Sequence, residues 1–550
     1  MIDDARSIED GAILDADICI VGAGAAGISL ALQFSSASQS VLLLESGGPR
    51  PDSGTQALYD GTTVNERLHS PPIQYRQRRF GGSTTIWGGR CIPFDPIDFD
   101  ARAYMPFSGW PIGYDEVARY YPRANALCEA GAFAYTVETA RLDASKPIIS
   151  GFDSAVISTN TIERFSRPTD FARAYGNHLA ESRSVRVLLH ANVTRLNTTE
   201  NGGGIESVDI RTLTGKRITA RARRYVLATG GLEVPRLLLA SNDRFPQGLG
   251  NGHDLVGRFY MCHVAGTLGT LNLKAPLSSV AHGYEVSPDG IYCRRRFAIT
   301  PEAQREHGIG NFIARLHHPR ITDPAHRSGP LSALYLALPL ISYEYSRRFK
   351  EEGAHGATLW LRHAFNLARD SWGTAAFAIH WLRKRTFAAR KFPSVIVKPR
   401  SNHLALEFHA EQQPQPDSRV RLTKEVDALG MPRLEVDWRY TALDIETVRV
   451  AYRLMKEEFA RSGTATLSYD EETLEAVAMQ DGAYGGHHLG TARMSASPSN
   501  GVVDADCKVH GIDNLYIASG AVMPTSSQAN PTLTIVALAL RLADHLKRLA

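Results

Sequence analysis

Two kinds of apolar pattern run along the chain. Short, almost unbroken apolar runs, ADICIV at 16–21, VLLLE at 41–45, VRVLLH at 185–190 and RYVLA at 224–228, predict strands. In LALEFHAE at 404–411 and LEVDW at 434–438 apolar and polar residues take turns, the mark of strands with one buried face. The stretch 265–480 is mixed in this way, and predicts a large, mainly antiparallel sheet with helices. ISLALQF after Gly27 reads as a helix, and the C-terminal end closes in a strongly apolar, Ala/Leu-rich helix. Asn530–Pro531–Thr532 opens that last helix, with Asn as a good N-cap and Pro favoured at the first helical position.

Glycines interrupt the pattern at three places. VGAGAAG links the strand at 16–21 to the following helix. Gly22 permits the tight turn, Gly24 lets backbone approach a pyrophosphate, and Gly27 lets the helix pack on the strand. Glu45, 18 residues past Gly27, ends the next strand within reach of a ribose hydroxyl. Strand, turn, helix, strand and acid together predict a bound dinucleotide, its phosphates at the helix N-terminus. FGGSTTIWGGRC at 80–91 holds four glycines around Ile86 and Trp87, as suits backbone lying close to a flat ligand. TGGLEVPRLLLAS, from Thr229, is a third glycine turn ahead of a helix, so the nucleotide domain resumes after an insertion.

Length sets the scale: 550 residues exceed the roughly 250–300 that one core serves, so two or more units are expected. A hydrophobic fraction of 43% with 21% charged residues excludes a disordered or fibrous chain. With 61 basic and 57 acidic residues, nothing suggests a nucleic-acid partner. Six scattered cysteines without a CxxC pair suggest neither a metal site nor a disulfide framework. The acidic start MIDDARSIEDGAILD and the lack of a long apolar run predict a cytoplasmic protein. Residues 357–392 complicate that expectation. They hold seven Lys and Arg against a single Asp370, with Trp360, Trp372, Trp381 and four phenylalanines. The segment reads either as a helical insertion packed on the substrate domain or a second subunit, or as peripheral contact with a membrane.

The motifs in their order and spacing resemble those of the glucose–methanol–choline (GMC) oxidoreductases. The likeness covers nearly the whole chain, from VGAGAAG…LLLESGG and GGSTTIWGG through ATGGLEVPRLL and PDSRVRL to HHLGTARM, VVDADCKVHGIDNLYIASGAVMPT and NPTLTIVALALRLADHL. It implies a Rossmann-like α/β FAD-binding domain assembled from 1–105, 180–264 and 481–550. An α+β substrate domain on an antiparallel sheet would take 106–179 and 265–480. It implies FAD contacts at Gly22, Gly24, Ala25, Ala26, Gly27, Glu45 and Ser46, and at Gly82, Ser83, Trp87, Gly88 and Gly89. Val193, Thr229, Gly230, Gly520, Ala521, Asn530, Pro531 and Thr532 complete that set. The H-x-x-G-T pattern selects His487 over its neighbour His488 as catalytic histidine, and Asn530 as its catalytic partner. Two positions depart from the family's habit: Ser519 stands where Asp is usual, and Trp87 where Asn is frequent. No histidine lies in 80–91, so non-covalent FAD is expected.

The implied chemistry is oxidation of an alcohol, with a sugar or glycoside hydroxyl suggested by SGWPI at 108–112 and HAEQQPQPDSRV at 409–420. A neutral imidazole suits proton removal, and an amide N–H suits a forming alkoxide. A flavin-containing lyase of the same fold and a non-catalytic flavoprotein are the alternatives. The electron acceptor stays open among oxygen, a quinone and a carrier protein.

Overall fold

The structure, a computed structural model, describes residues 1–337, 356–394, 396–397, 402–480, 482–483 and 485–549. Parts of the expected domain segments, 338–355, 395, 398–401, 481, 484 and 550, lie outside the described residues.

The unbroken apolar runs become the centre of one sheet. Val185–Leu189, Val41–Leu44, Ile13–Val21 and Arg217–Leu227 lie side by side in parallel, and Leu515–Ile517 joins the end of the last. Ile18 to Val21 and Val41 to Leu44 are buried, which is why they carry no alternation. Ile205–Arg211 and Asn192–Thr198 extend the sheet antiparallel. The register sets Val21 beside Leu44 and Leu227, and Leu227 beside Ile517. Four strands thus end together, and the glycine turns leave from that edge. Gly22 has φ +101°, and a Cβ on Gly27 would stand 1.9 Å from the Gly22 carbonyl oxygen, so turn and helix interlock.

Of the alternating stretches, LEVDW lies in Pro432–Asp437, in a small sheet with Arg419–Val426 and Gly61–Thr63. LALEFHAE lies in a second, larger antiparallel sheet among the described residues. Its order is Ala465–Ser468, Val264–Leu273, His403–Ala410, Phe312–His317, Phe297–Ile299 and Ile157–Ser158. The helix Ala442–Arg461, started by a Thr441–Asp444 capping box, covers it and completes the second core.

The segments do not divide cleanly. Gly61–Thr63 pairs with Pro432–Asp437, and Arg90–Cys91 with Ile162–Phe165, although both lie within 1–105. Val117, Tyr121 and Phe171, from the segment 106–179 expected with the substrate domain, belong to the first core.

One helix boundary corrects the sequence reading. The last helix runs Thr532–Arg548, with Pro531 in the capping position and no side-chain cap. Asn530 does not cap it: its amide N–H is turned to His487 Nε2, and its Oδ1, the atom a cap would use, takes no N–H among the described residues. The basic aromatic segment is helical over Ala357–Arg369 and Ser371–Trp381, with a π-turn at Leu382–Thr386, and packs on the helix Gly329–Leu336.

Candidate functional site

A cavity of about 1300 Å³ opens at the edge where the parallel strands end. All the positions expected to contact the cofactor line it except Gly27 and Ala521. Gly27 is held behind the turn by its contact with Gly22. Ala521 is fully buried, its N–H given to Ser519 Oγ and its carbonyl to the Ala492 N–H.

The cavity wall fits a dinucleotide. A Cβ on Gly24, Gly88 or Gly230 would meet nothing within 4 Å, so these backbones face open space. Thr229 Oγ1 is buried there without a partner among the described residues. Glu45 departs in part from its expected role. Its carboxylate accepts the N–H groups of Ala23 and Gly47, each at 2.9 Å, and so fastens the turn itself. Burial pushes its pKa up against those bonds. Sequence reasoning missed the charged group beside it. Glu233 meets Arg76 at 3.0 Å, Arg78 at 3.1 Å and Arg236 at 3.2 Å. Burial alone would raise the Glu233 pKa; the three guanidiniums override it and bring it to about 2.

The histidines are sorted by a short antiparallel contact. Met261 and Leu489 exchange N–H···O bonds of 3.0 Å. Neighbouring side chains on such a ladder point to opposite faces, and facing residues two steps away share one. His487 therefore meets His263 on one face, while His488 meets Tyr260 and Cys262 on the other.

On the first face the hydrogen bonds fix the tautomers. His263 Nε2 lies 3.1 Å from the Ser526 carbonyl, which can only accept, so that nitrogen carries the proton. His263 Nδ1 then accepts from His487 Nδ1 at 2.8 Å. His487 Nε2 is left bare and receives the Asn530 amide N–H at 2.9 Å. Asn530 Oδ1 is buried with no partner among the described residues, ready for a donor. Burial, with His263 and Arg90 nearby, holds His487 well below the usual imidazole pKa. Burial brings His263 to about 4. This face can take a proton at one defined atom. His263 and His409 carry no motif, which is why sequence reasoning gave them no role. The pairing of 261 with 489 is the signal that brings His263 to His487.

On the second face three groups converge on the Tyr260 hydroxyl: His488 Nδ1 at 2.6 Å, His69 Nε2 at 2.7 Å and Cys262 Sγ at 3.2 Å. His69 Nδ1 donates to the Ser70 carbonyl, so Tyr260 donates to His69 and accepts from His488. His488 Nε2 is bare as well, buried and without a partner among the described residues. The backbone of His488 presses on Gly231, whose Cβ would stand 2.1 Å from the His488 carbonyl oxygen.

The remaining wall comes from the second sheet, the strand Arg90–Cys91 and the basic helices. His317, His318, His409, Arg90 and Glu407 give it polar groups, and Phe377 and Trp381 give it rings.

The family model for FAD dependent oxidoreductases matches residues 17–300, more than half the chain, and that for GMC oxidoreductases matches 414–539. A 2-methyl-1,2-propanediol dehydrogenase of Mycolicibacterium austroafricanum is 24% identical, with 97% of this chain and 95% of that protein covered. The fructose dehydrogenase large subunit of Gluconobacter japonicus is also 24% identical, with 96% and 97% covered. In fold the chain is similar to the crystal structure of pyridoxine 4-oxidase from Mesorbium loti (TM-score 0.51, 18% identity, 97% and 99% covered). The chain belongs to the GMC family of FAD-dependent oxidoreductases.

Proposed function

We propose that this protein oxidises a hydroxyl-bearing small molecule, a sugar or glycoside hydroxyl, to the carbonyl, with His487 as base and Asn530 as its partner. The observation that carries the reading is the bare, cavity-facing His487 Nε2 with an amide beside it. FAD, held non-covalently along the glycine turns, supplies the hydride acceptor.

The protein's own steps follow from the network. A substrate hydroxyl replaces the Asn530 N–H at His487 Nε2 and gives its proton to that atom. His263 holds the ring in the right tautomer through Nδ1, so the accepting atom is always the same one. The freed Asn530 amide donates to the substrate oxygen as it gains negative charge. Polar groups from His317, His318 and His409 suit a substrate with several hydroxyls, and Trp381 suits the apolar face of a sugar ring. The relatives named above for a diol and a sugar agree with that class.

Anaerobic mixing of purified enzyme with a panel of sugars, glycosides and simple alcohols tests the reading. A member of the panel should bleach the flavin and yield its carbonyl product. Bleaching by none of them, with conversion by a redox-neutral cleavage instead, would favour a lyase. Acid precipitation should leave the yellow colour in the supernatant; colour kept in the pellet would mean a covalent link.

A further inference from the structure

The helix Ala357–Arg369 is folded inside out. Its buried positions are His363 and Asn366, followed by Asp370 just past its end, all polar and all on one face. His363 Nδ1 lies 3.0 Å from Ser332 Oγ, and Asn366 donates to the Pro324 carbonyl at 2.9 Å. Asp370 accepts the Gly329 N–H at 3.0 Å. Leu361 and Phe365 point the other way and are 70% and 64% exposed, while Trp360, on the buried side and 44% exposed, meets the Tyr335 ring edge-on at 5.9 Å. The next helix, SWGTAAFAIHW at Ser371–Trp381, is apolar over most of its length yet buries none of its residues. Trp372 is 84% exposed, and Phe387 beyond the π-turn 79%. Single exposed apolar residues are ordinary, but a run of this density is an unpartnered surface.

Charge says what covers it. Seven Lys and Arg lie in 357–392 against Asp370, which is buried. Arg362, Arg369, Arg383, Lys384 and Lys391 are exposed among the aromatics. A second copy of this chain would bring the same positive charge against itself. Among the described residues no helix is long and apolar enough to cross a membrane, so these helices would lie along a surface. Tryptophan and phenylalanine mixed with basic residues are what a negatively charged bilayer interface accepts.

We propose that the outer face of 357–392 docks on an anionic lipid bilayer. The same helices form one wall of the cavity, through Phe377, Trp381, Leu382 and Arg385. Leu382 lines the cavity while 47% exposed, so the rim of the cavity lies within the docking face. Docking would set that rim against the lipid headgroups. The proposal is independent of the chemistry assigned to His487.

Flotation of the FAD-loaded enzyme with phosphatidylcholine vesicles, with and without phosphatidylglycerol, tests it. Binding should require phosphatidylglycerol, weaken with salt, and bring quenching of tryptophan emission by brominated lipid. Trp372→Ser with Phe387→Ser, and separately Arg383→Glu with Lys384→Glu, should each weaken binding on the order of tenfold or more. None of the four side chains lines the cavity, so flavin content and flavin reduction should stay as in the parent. The proposal fails if the parent enzyme stays off phosphatidylglycerol vesicles at low salt, or if neither double variant changes its binding. It also fails if the parent sediments as a dimer that the Trp372→Ser, Phe387→Ser variant dissociates, because the face would then join two copies.

Discussion

His487 and His488 are neighbours in the chain and sit on opposite faces of one short ladder. Each has a carbonyl-anchored relay behind it, and each ends in a bare Nε2. Ser526 and His263 set the first; Ser70, His69 and Tyr260 set the second. What separates them is the company of that bare nitrogen. His487 Nε2 receives the Asn530 amide, whose own oxygen has no partner among the described residues. His488 Nε2 is buried with no partner among the described residues, while the His488 backbone carbonyl packs on Gly231. Identical side chains one residue apart thus keep different company, and the ladder's register decides which side each one faces.

The largest loss should follow from His487→Ala. Anaerobic stopped-flow reduction of the flavin should slow by roughly 10²–10⁴-fold, the share of a general base, with FAD still bound. In the parent enzyme the rate should be flat with pH through the ordinary imidazole range near 6.5. The base works when neutral, and its pKa is lowered, so the rate falls only as pH drops through that lowered value. A fall centred at or above the ordinary range would contradict the buried, neutral His487.

Asn530→Asp should come next, slowing reduction by about 10²-fold. The carboxylate removes the donor and stabilises a protonated His487, so the acid limb of the rate profile should move to higher pH. Helix content should not change, since Asn530 does not cap the last helix. Circular dichroism separates this outcome from loss of the helix.

His263→Phe should cost roughly tenfold, the worth of one buried hydrogen bond that fixes the His487 tautomer. His263→Asn keeps an acceptor within reach of Nδ1 and should recover part of the loss. Equal damage from both would reduce His263 to packing.

The cofactor half of the cavity was legible in the sequence because close backbone approach demands glycine and leaves a spacing behind. Gly22, Gly24 and Gly230 mark their turns by residue type alone. The apolar strands were legible for a similar reason, since burial on both faces removes alternation. The substrate half leaves no such mark. His263 and His409 reach the site through strand pairings made by residues far apart in sequence, and nothing in their local sequence requires it. The Asn-Pro helix start misled because a good capping residue is also a good amide donor. Local propensity cannot say which task the side chain serves. The segment 357–392 stood out by composition, yet its amphipathic pattern is inverted. Only the burial of His363 and Asn366 tells which face meets the protein.

His488→Ala should have the smallest effect on rate. The change leaves His487, His263 and Asn530 in place, so flavin reduction should stay within about tenfold of the parent, the worth of one hydrogen bond. The cost should appear in stability. Tyr260 loses the donor to its hydroxyl oxygen at a fully buried position, a loss of about 1–3 kcal/mol. The melting temperature should therefore fall. Acid dependence supplies a cross-check. Burial brings His69 to about 4, and it holds His488 well below the ordinary value. The unfolded chain takes up protons near pH 6.5 that the folded one refuses, so stability falls as pH drops below about 6.5. Removing His488 should make that fall shallower. If His488→Ala instead stops flavin reduction while His487→Ala leaves it intact, the two faces have exchanged roles and the base is the histidine on the Tyr260 side.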